Sequence, residues 1–233
     1  MQKKVIGMVF AILALVFIII GLVGSWYNVH MDYSLSYMEG ESDTNIYLTR
    51  MTAKSTMSGS TQEQDMNISD IRQQYEAGGM DTSFLDAIDN AFIITIIALI
   101  VAIIALFFSG LSFKIFQIQK IAAILFILVF VFALIAPILF MTGFQTFIDQ
   151  QLESMSYMTG EVEDIGFWYS KSGEGFNMSF GPGYAWYLMI IGAIFALIGA
   201  IIFFIGKKQT AMPTPNIMQQ QAPPSPPASP PTQ

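Results

Sequence analysis

The stretch AFIITIIALIVAIIALFFSG, residues 91–110, decides the fold, because it runs for twenty residues without one Asp, Glu, Lys, Arg or His. A hydrocarbon core about 30 Å thick takes roughly 20 residues of helix to cross, and lipid offers no water to satisfy an open backbone, so the run reads as a transmembrane helix. Stretches 5–24, 121–142 and 185–206 match it in length and in lack of charge. Each can insert without the roughly 2.5–3.5 kcal/mol that a central charge costs on insertion scales. The chain is 54% hydrophobic and only 12% charged, too apolar for an ordinary soluble domain, and the four spans account for the excess.

Within the second span Ala91, Thr95, Ala98, Ala102, Ala105 and Ser109 recur at alternating steps of four and three, the heptad spacing of a left-handed bundle seam. Gly192, Ala196, Gly199 and Gly206 keep the rhythm in the fourth span, as do Gly7, Ala11, Ala14 and Gly21 in the first. Helices in lipid approach one another through small residues, since no hydrophobic force drives them together. Alanine and glycine are common in membrane helices, so a single span decides nothing; three in phase predict a compact bundle. The short link 111–120 makes the second and third spans antiparallel neighbours. Pro137 lacks a backbone donor and predicts a kink in the third span. Beyond it Phe144, Ile148, Leu152 and Met155 continue an apolar stripe, which extends that helix above the bilayer to about residue 155.

Charge sets the orientation, because Lys and Arg near span ends stay on the cytoplasmic side. Lys3, Lys4, Lys114, Lys120, Lys207 and Lys208 fall in the terminal segments and the 111–120 link. All 17 acidic residues fall in the two opposite loops, 25–90 and 143–184, with only Arg50, Lys54, Arg72 and Lys171 beside them. Both termini are therefore expected on the cytoplasmic side of the cell membrane. A cleaved signal peptide ending near Val23-Gly24-Ser25 is the competing reading of the first span; its apolar core exceeds the usual 7–15 residues or so and lacks an A-x-A-like site. The chain has no cysteine, which excludes disulfides, thiolate zinc sites and cysteine nucleophiles. A net charge of −7 argues against nucleic acid as a partner.

The first loop opens with strict alternation, Val29, Met31, Tyr33, Leu35 and Tyr37 against His30, Asp32, Ser34 and Ser36, the period of a strand with one covered face. Glu39-Gly40-Glu41-Ser42 reads as a turn, 44–57 as the returning strand, and 60–76 as a helix with Ile68, Ile71 and Tyr75 on one face, stopped by Gly78-Gly79. Ser83 with Asp86 three residues on reads as a capping box. In the second loop, 165–169 and 176–180 flank Ser170-Lys171-Ser172-Gly173-Glu174-Gly175 as a hairpin across 165–180. An isolated hairpin is marginal in water, so it is expected to join the first loop in one antiparallel sheet. The expected fold is thus a membrane all-α four-helix bundle with a small extracellular antiparallel β-sheet built from both loops. Trp26 and Trp186 fit an interfacial aromatic belt.

Four spans, a larger first loop that starts with Trp26 above the first span, a smaller hairpin-like second loop and a proline near the outer end of a long third helix resemble the claudin and peripheral-myelin-protein superfamily. The resemblance is one of architecture over most of the chain. The Gly-Leu-Trp triplet and the cysteine pair of the claudin first loop are absent, and only Trp26 carries over. It implies a membrane scaffold or adhesion protein whose outer sheet meets partners, and does not extend to junction or paracellular pore roles.

Candidate chemistry is sparse. His30 is the single histidine, and without partners in the linear sequence it reads as structural or exposed. Glu39, Glu41 and Asp43 alternate, and Glu161, Glu163 and Asp164 cluster; neither run fits an EF-hand loop, so both read as solvated acidic surface with weak divalent-cation binding as the alternative. Asn67-Ile68-Ser69 and Asn177-Met178-Ser179 are glycosylation acceptors in the loops. Residues 207–233 carry Pro213, Pro215, Pro223, Pro224, Pro226, Pro227, Pro230 and Pro231, a composition that buries nothing and reads as a disordered polyproline-like tail. No cofactor is implied. The expectation is a non-enzymatic scaffold, adhesion or accessory subunit, partnered by lipid and by another membrane protein or a second copy; the alternative is an oligomeric channel or transporter component.

Overall fold

A computed structural model describes residues 2–35, 38–115, 117–159, 166–173 and 175–205. The segment 207–233, the acidic run at Glu161, Glu163 and Asp164, and Tyr37, Gly206, Lys207 and Lys208 lie outside the described residues. Helix α1 (Gln2–Val23) leads into strands β1 (Tyr27–Leu35), β2 (Met38–Ile46), β3 (Arg50–Met57) and β4 (Ser60–Asn67), then helices α2 (Ile68–Ala77), α3 (Ser83–Leu111) and α4 (Ile118–Thr159). Strands β5 (Tyr169–Gly173) and β6 (Phe176–Pro182) follow, and helix α5 (Tyr184–Ile205) comes last.

Helices α1, α3, α4 and α5 contain spans of 21, 29, 29 and 22 residues that are long and apolar enough to cross a membrane. They close into a ring in which α3 packs on α4, α4 on α5, α5 on α1 and α1 on α3. Small residues line the contacts: Ala91, Thr95, Ala98, Ala102, Ala105 and Ser109 are buried, as are Gly192, Ala196 and Gly199. Large ones such as Ile93, Ile100, Ile103 and Phe107 face outward. Larger side chains such as Phe126, Met189 and Phe203 fill the remaining space inside, and the small-residue faces suit helices that close on one another through backbone proximity in lipid. A side chain at Gly192 would place its Cβ 3.1 Å from Phe17 Cβ and 3.4 Å from the Ala14 carbonyl, so α1 and α5 need glycine to sit as close as they do. Pro137 lies inside α4, buried.

The six strands form one antiparallel sheet in the order β4-β3-β2-β1-β6-β5. The second loop's hairpin therefore joins the first loop's strands, through β6 beside β1. The sheet rests on one end of the bundle over buried Trp26, Tyr27, Phe140, Phe144 and Phe167. At the other end Lys4 Nζ donates to the Ser112 carbonyl at 2.5 Å and Gln119 Nε2 to the Phe203 carbonyl at 2.5 Å, tying α1 to the α3–α4 link and α5 to the first turn of α4.

Several local expectations are corrected. The expected turn Glu39–Ser42 lies inside β2, because Gly40 sits opposite Tyr33 and leaves room for its ring. The single returning strand 44–57 and the helix from 60 are instead β2, β3 and β4. Ser58 and Gly59, with φ of 49° and 84°, reverse the chain tightly between β3 and β4, and residues 60–67 are solvent-washed strand. The helical face at Ile68, Ile71 and Tyr75 is real but begins only at Ile68; Tyr75 packs edge-on to Phe84 at 5.4 Å, and Gly79 at φ +65° ends the turn. Ser83 does not cap α3: the helix starts at Ser83, and the Asp81 carboxylate accepts its N–H at 2.9 Å and its hydroxyl at 2.8 Å. Asp86 pairs instead with Arg72, 2.8 Å away, and Asp89 joins them at 2.6 Å, which pins α2 to the start of α3. In the second hairpin Ser170, Lys171 and Ser172 belong to β5, and Gly175 at φ +71° lies between the paired strands.

Trp26 and Trp186 are not set outward as an aromatic belt requires. Trp26 is fully buried, its indole N–H donating to the Gly21 carbonyl at 2.5 Å. Trp186 is 9% exposed and donates to the Pro137 carbonyl at 3.0 Å. Both indoles find backbone acceptors inside the joint between bundle and sheet, whereas Trp168, Tyr184 and Tyr187 are exposed.

Candidate functional site

Period-two geometry sends alternate residues of each strand to opposite faces, and antiparallel registers line those residues up across the sheet. One face is polar from edge to edge. One row reads Glu63, Lys54, Asp43, His30, Ser179 and Ser170, and the next Thr61, Thr56, Glu41, Asp32, Asn177 and Ser172. On the opposite face Tyr27, Ile46, Met51 and Phe180 are buried or packed against the core.

His30 stands near the middle of the polar face with its side chain 35% exposed. Its Nδ1 lies 2.6 Å from Asp43 Oδ1 on β2 and its Nε2 3.0 Å from Asp32 Oδ2 on its own strand. Asn177 Nδ2 donates to the same Asp32 oxygen at 3.4 Å, and Ser172 Oγ donates to Asn177 Oδ1 at 3.0 Å. His30 is therefore not without partners, as the linear sequence suggested. The pairing with Asp43, thirteen residues away, exists only through the β1–β2 register.

Two shallow grooves flank the cluster. One, of about 390 Å³, is lined by Asn28, His30, Asp43, Asn45, Thr52, Lys54 and Glu63. The other, of about 460 Å³, is lined by Asp32, Tyr33, Ser34, Glu39, Gly40, Glu41 and Thr56. Glu39, Glu41 and Asp43 share one face of β2, as their spacing predicts. One donor atom each from His30, Asp32 and Glu41 can be chosen so that all lie within 4.8 Å of one another.

The hydrogen bond to Asp43, joined by that to Asp32, raises the His30 pKa above its ordinary value against the opposing desolvation. A raised folded value means that this interaction is at full strength below the unfolded imidazole's pKa of about 6.5 and fades as pH climbs through the folded value. Chelator-treated protein is expected to lose sheet stability over that window relative to His30→Gln, whose curve lacks the step. Thermal melts in steps from about pH 5.5 upward check this; parallel curves for the two proteins would refute it. Burial also lifts the Tyr27 phenol above its ordinary value, which keeps it a neutral donor to the Phe167 carbonyl at 3.0 Å.

No protein-family model and no curated protein matches the chain. Its function therefore has to be read from its own geometry.

Other candidate positions lie apart from this face. Asn67 is exposed where β4 meets α2, open to modification, whereas the Asn177 amide is held by Asp32 and Ser172 on the polar face. The small-residue seams lie inside the bundle. There Thr95 and Ser109 donate their hydroxyls to Ala91 and Leu106 of their own helix, at 2.7 and 2.8 Å.

Proposed function

We propose that the chain is a four-span integral membrane protein that acts without catalysis, as a scaffold, adhesion or accessory subunit, through the polar face of its sheet. One observation carries this reading: a six-stranded sheet packed onto the end of an apolar bundle presents an ordered, charged and grooved face that the bundle does not cover. Thr95, Ser109, Thr142 and Thr146 donate their hydroxyls to carbonyls of their own helices, and small residues serve close packing, which supports a structural role for the helices. In this reading the sheet lies outside the cell and both termini lie inside, because Lys3, Lys4, Lys114 and Lys120 gather at the bundle end away from the sheet. The resemblance to the claudin and peripheral-myelin-protein superfamily belongs to the same proposal.

The absence of cysteine makes the test direct. Thr61→Cys, on the exposed edge strand β4, and Gln209→Cys are each treated in intact cells with a membrane-impermeant thiol-reactive photocrosslinker. The expected result is a discrete higher-mass adduct of defined composition from position 61, and no reaction at 209 until the cells are opened. Equal reaction at both positions would overturn the orientation, and a strictly monomeric product from position 61 at native expression would overturn the partner-binding role.

A further inference from the structure

We propose that His30, Asp32 and Glu41 form a binding site for a first-row divalent metal ion of the zinc, cobalt or manganese kind, with Asp43 as its positioning residue. The site rests on the donor set and on how each donor is held, and it stands whether or not the sheet binds a protein partner. His30 and Asp32 project from the same face of β1 two residues apart, and Glu41 is the direct cross-strand neighbour of Asp32 on β2. One nitrogen and two carboxylate groups thus converge from two hydrogen-bonded strands, their chosen donor atoms within 4.8 Å of one another. Glu41 is exposed and free to swing the short distance needed for a common ion.

The outer groups are those a metal site uses. Asp43 Oδ1 lies 2.6 Å from His30 Nδ1. A carboxylate there accepts a hydrogen bond from Nδ1–H and fixes the ring's rotation, so that Nε2, 3.0 Å from Asp32, offers its lone pair to an ion once it has released its own proton, the arrangement that orients ligating histidines. Asp32 is held in turn by Asn177 across β1–β6, and Asn177 by Ser172 on β5. Residues of three other strands therefore brace the two ligands on β1, and the groove beside Asp32 and Glu41 leaves room for water in the remaining coordination positions. Imidazole in the donor set favours first-row transition ions and zinc over calcium or magnesium, which take all-oxygen shells.

The test uses the full chain in detergent micelles, stripped with chelator and titrated with Zn²⁺ alone by calorimetry, then with Co²⁺ by absorption and paramagnetic proton NMR. The expected result is one ion per chain and, in the Co²⁺ form, a paramagnetically shifted imidazole N–H resonance. His30→Gln and Glu41→Gln should each weaken Zn²⁺ binding at least about tenfold, and Asp43→Asn by about 10- to 100-fold with the imidazole signal retained but moved. Glu63→Gln, on the same polar face but outside the three-donor cluster, should bind as the wild type does. Three results would overturn the site: no stoichiometric ion in the wild type, Co²⁺ bound without an imidazole signal, or equal losses from Glu63→Gln and Glu41→Gln. The spectroscopic arm needs no variant and reads the wild-type site even if a substitution unfolds the sheet.

Discussion

Trp26→Ala is expected to lower the stability of the folded chain by about 3–5 kcal/mol, the range for truncating a large buried aromatic. Trp26 sits where α1 gives way to β1, with none of its surface exposed and its ring 5.3 Å from that of Phe140. The same residue stitches the backbone together: its N–H donates to the Ile46 carbonyl at 2.7 Å and its carbonyl accepts the Gly183 N–H at 2.8 Å. Truncation leaves those backbone bonds in place and removes the ring together with its hydrogen bond to the Gly21 carbonyl, so the loss reports how this side chain joins sheet to bundle. Trp26→Phe separates the two parts of the side chain. It keeps an aromatic ring against Phe140 and deletes the indole donor to the Gly21 carbonyl, and should cost about 1–2 kcal/mol. Denaturant titration in micelles, read by far-ultraviolet dichroism and by the remaining tryptophans Trp168 and Trp186, measures both variants. A loss below about 1 kcal/mol for Trp26→Ala, well under the usual range for such a truncation, would mean that the joint is held by backbone pairing and not by the aromatic cluster.

What could be read in the linear chain was whatever depends on local composition. Residues 91–110 and the three stretches like them are uncharged at any register, and small residues every third or fourth position mark the buried face of α1, α3 and α5 whatever lies opposite. Strand β1 was legible for the same reason, since Val29, Met31 and Tyr33 alternate with His30, Asp32 and Ser34. Strand β4 was not, because residues 60–67 are polar on both faces and give no alternation to find; its turn also needs Ser58 at a positive φ, which few non-glycine residues adopt. The serine-glycine pair was the available clue. The start of α3 is not legible to the residue, because local rules leave helix ends uncertain by one or two positions, and Asp81, not Ser83, accepts the first N–H.

The His30 cluster was hidden for a different reason. Register is a long-range property, and a slip of one residue between β1 and β2 would carry Asp43 to the opposite face. The linear chain shows only Asp32 near His30; Asp43, Glu41 and Asn177 arrive through the pairings of β1 with β2 and β6. The orientation of the tryptophans is hidden for the same reason. Their position at the ends of spans was legible, but the direction of their side chains depends on the Gly21 and Pro137 carbonyls that accept their protons.

The second large effect is expected at Gly183, where β6 turns into α5. Its N–H donates to the Trp26 carbonyl, and two residues on the Ala185 N–H donates to the Ser25 carbonyl at 3.0 Å, so the chain crosses the start of β1 with no gap. A Cβ built on Gly183 would lie well inside contact distance of the Ser25 carbonyl and near its hydroxyl. Backbone cannot swing aside as a side-chain tip can, so relief requires β1 and β6 to part and the sheet to lift from α5. Gly183→Ala is expected to cost about 1–3 kcal/mol, and Gly183→Val more, because overpacking grows with the atoms that must be displaced. Gly173→Ala supplies the comparison: nothing lies within 4 Å of a Cβ there, and its strand is the exposed edge β5. That substitution should fall within about 0.5 kcal/mol of wild type, as surface changes usually do. If Gly183→Ala unfolds at the same denaturant concentration as Gly173→Ala, the crossing has slack and the sheet is not locked to the fourth span. If the two differ as expected, any partner or ion held on the polar face bears on a platform fixed to the helices, and strain at the sheet reaches the bundle through Ser25, Trp26 and Gly183.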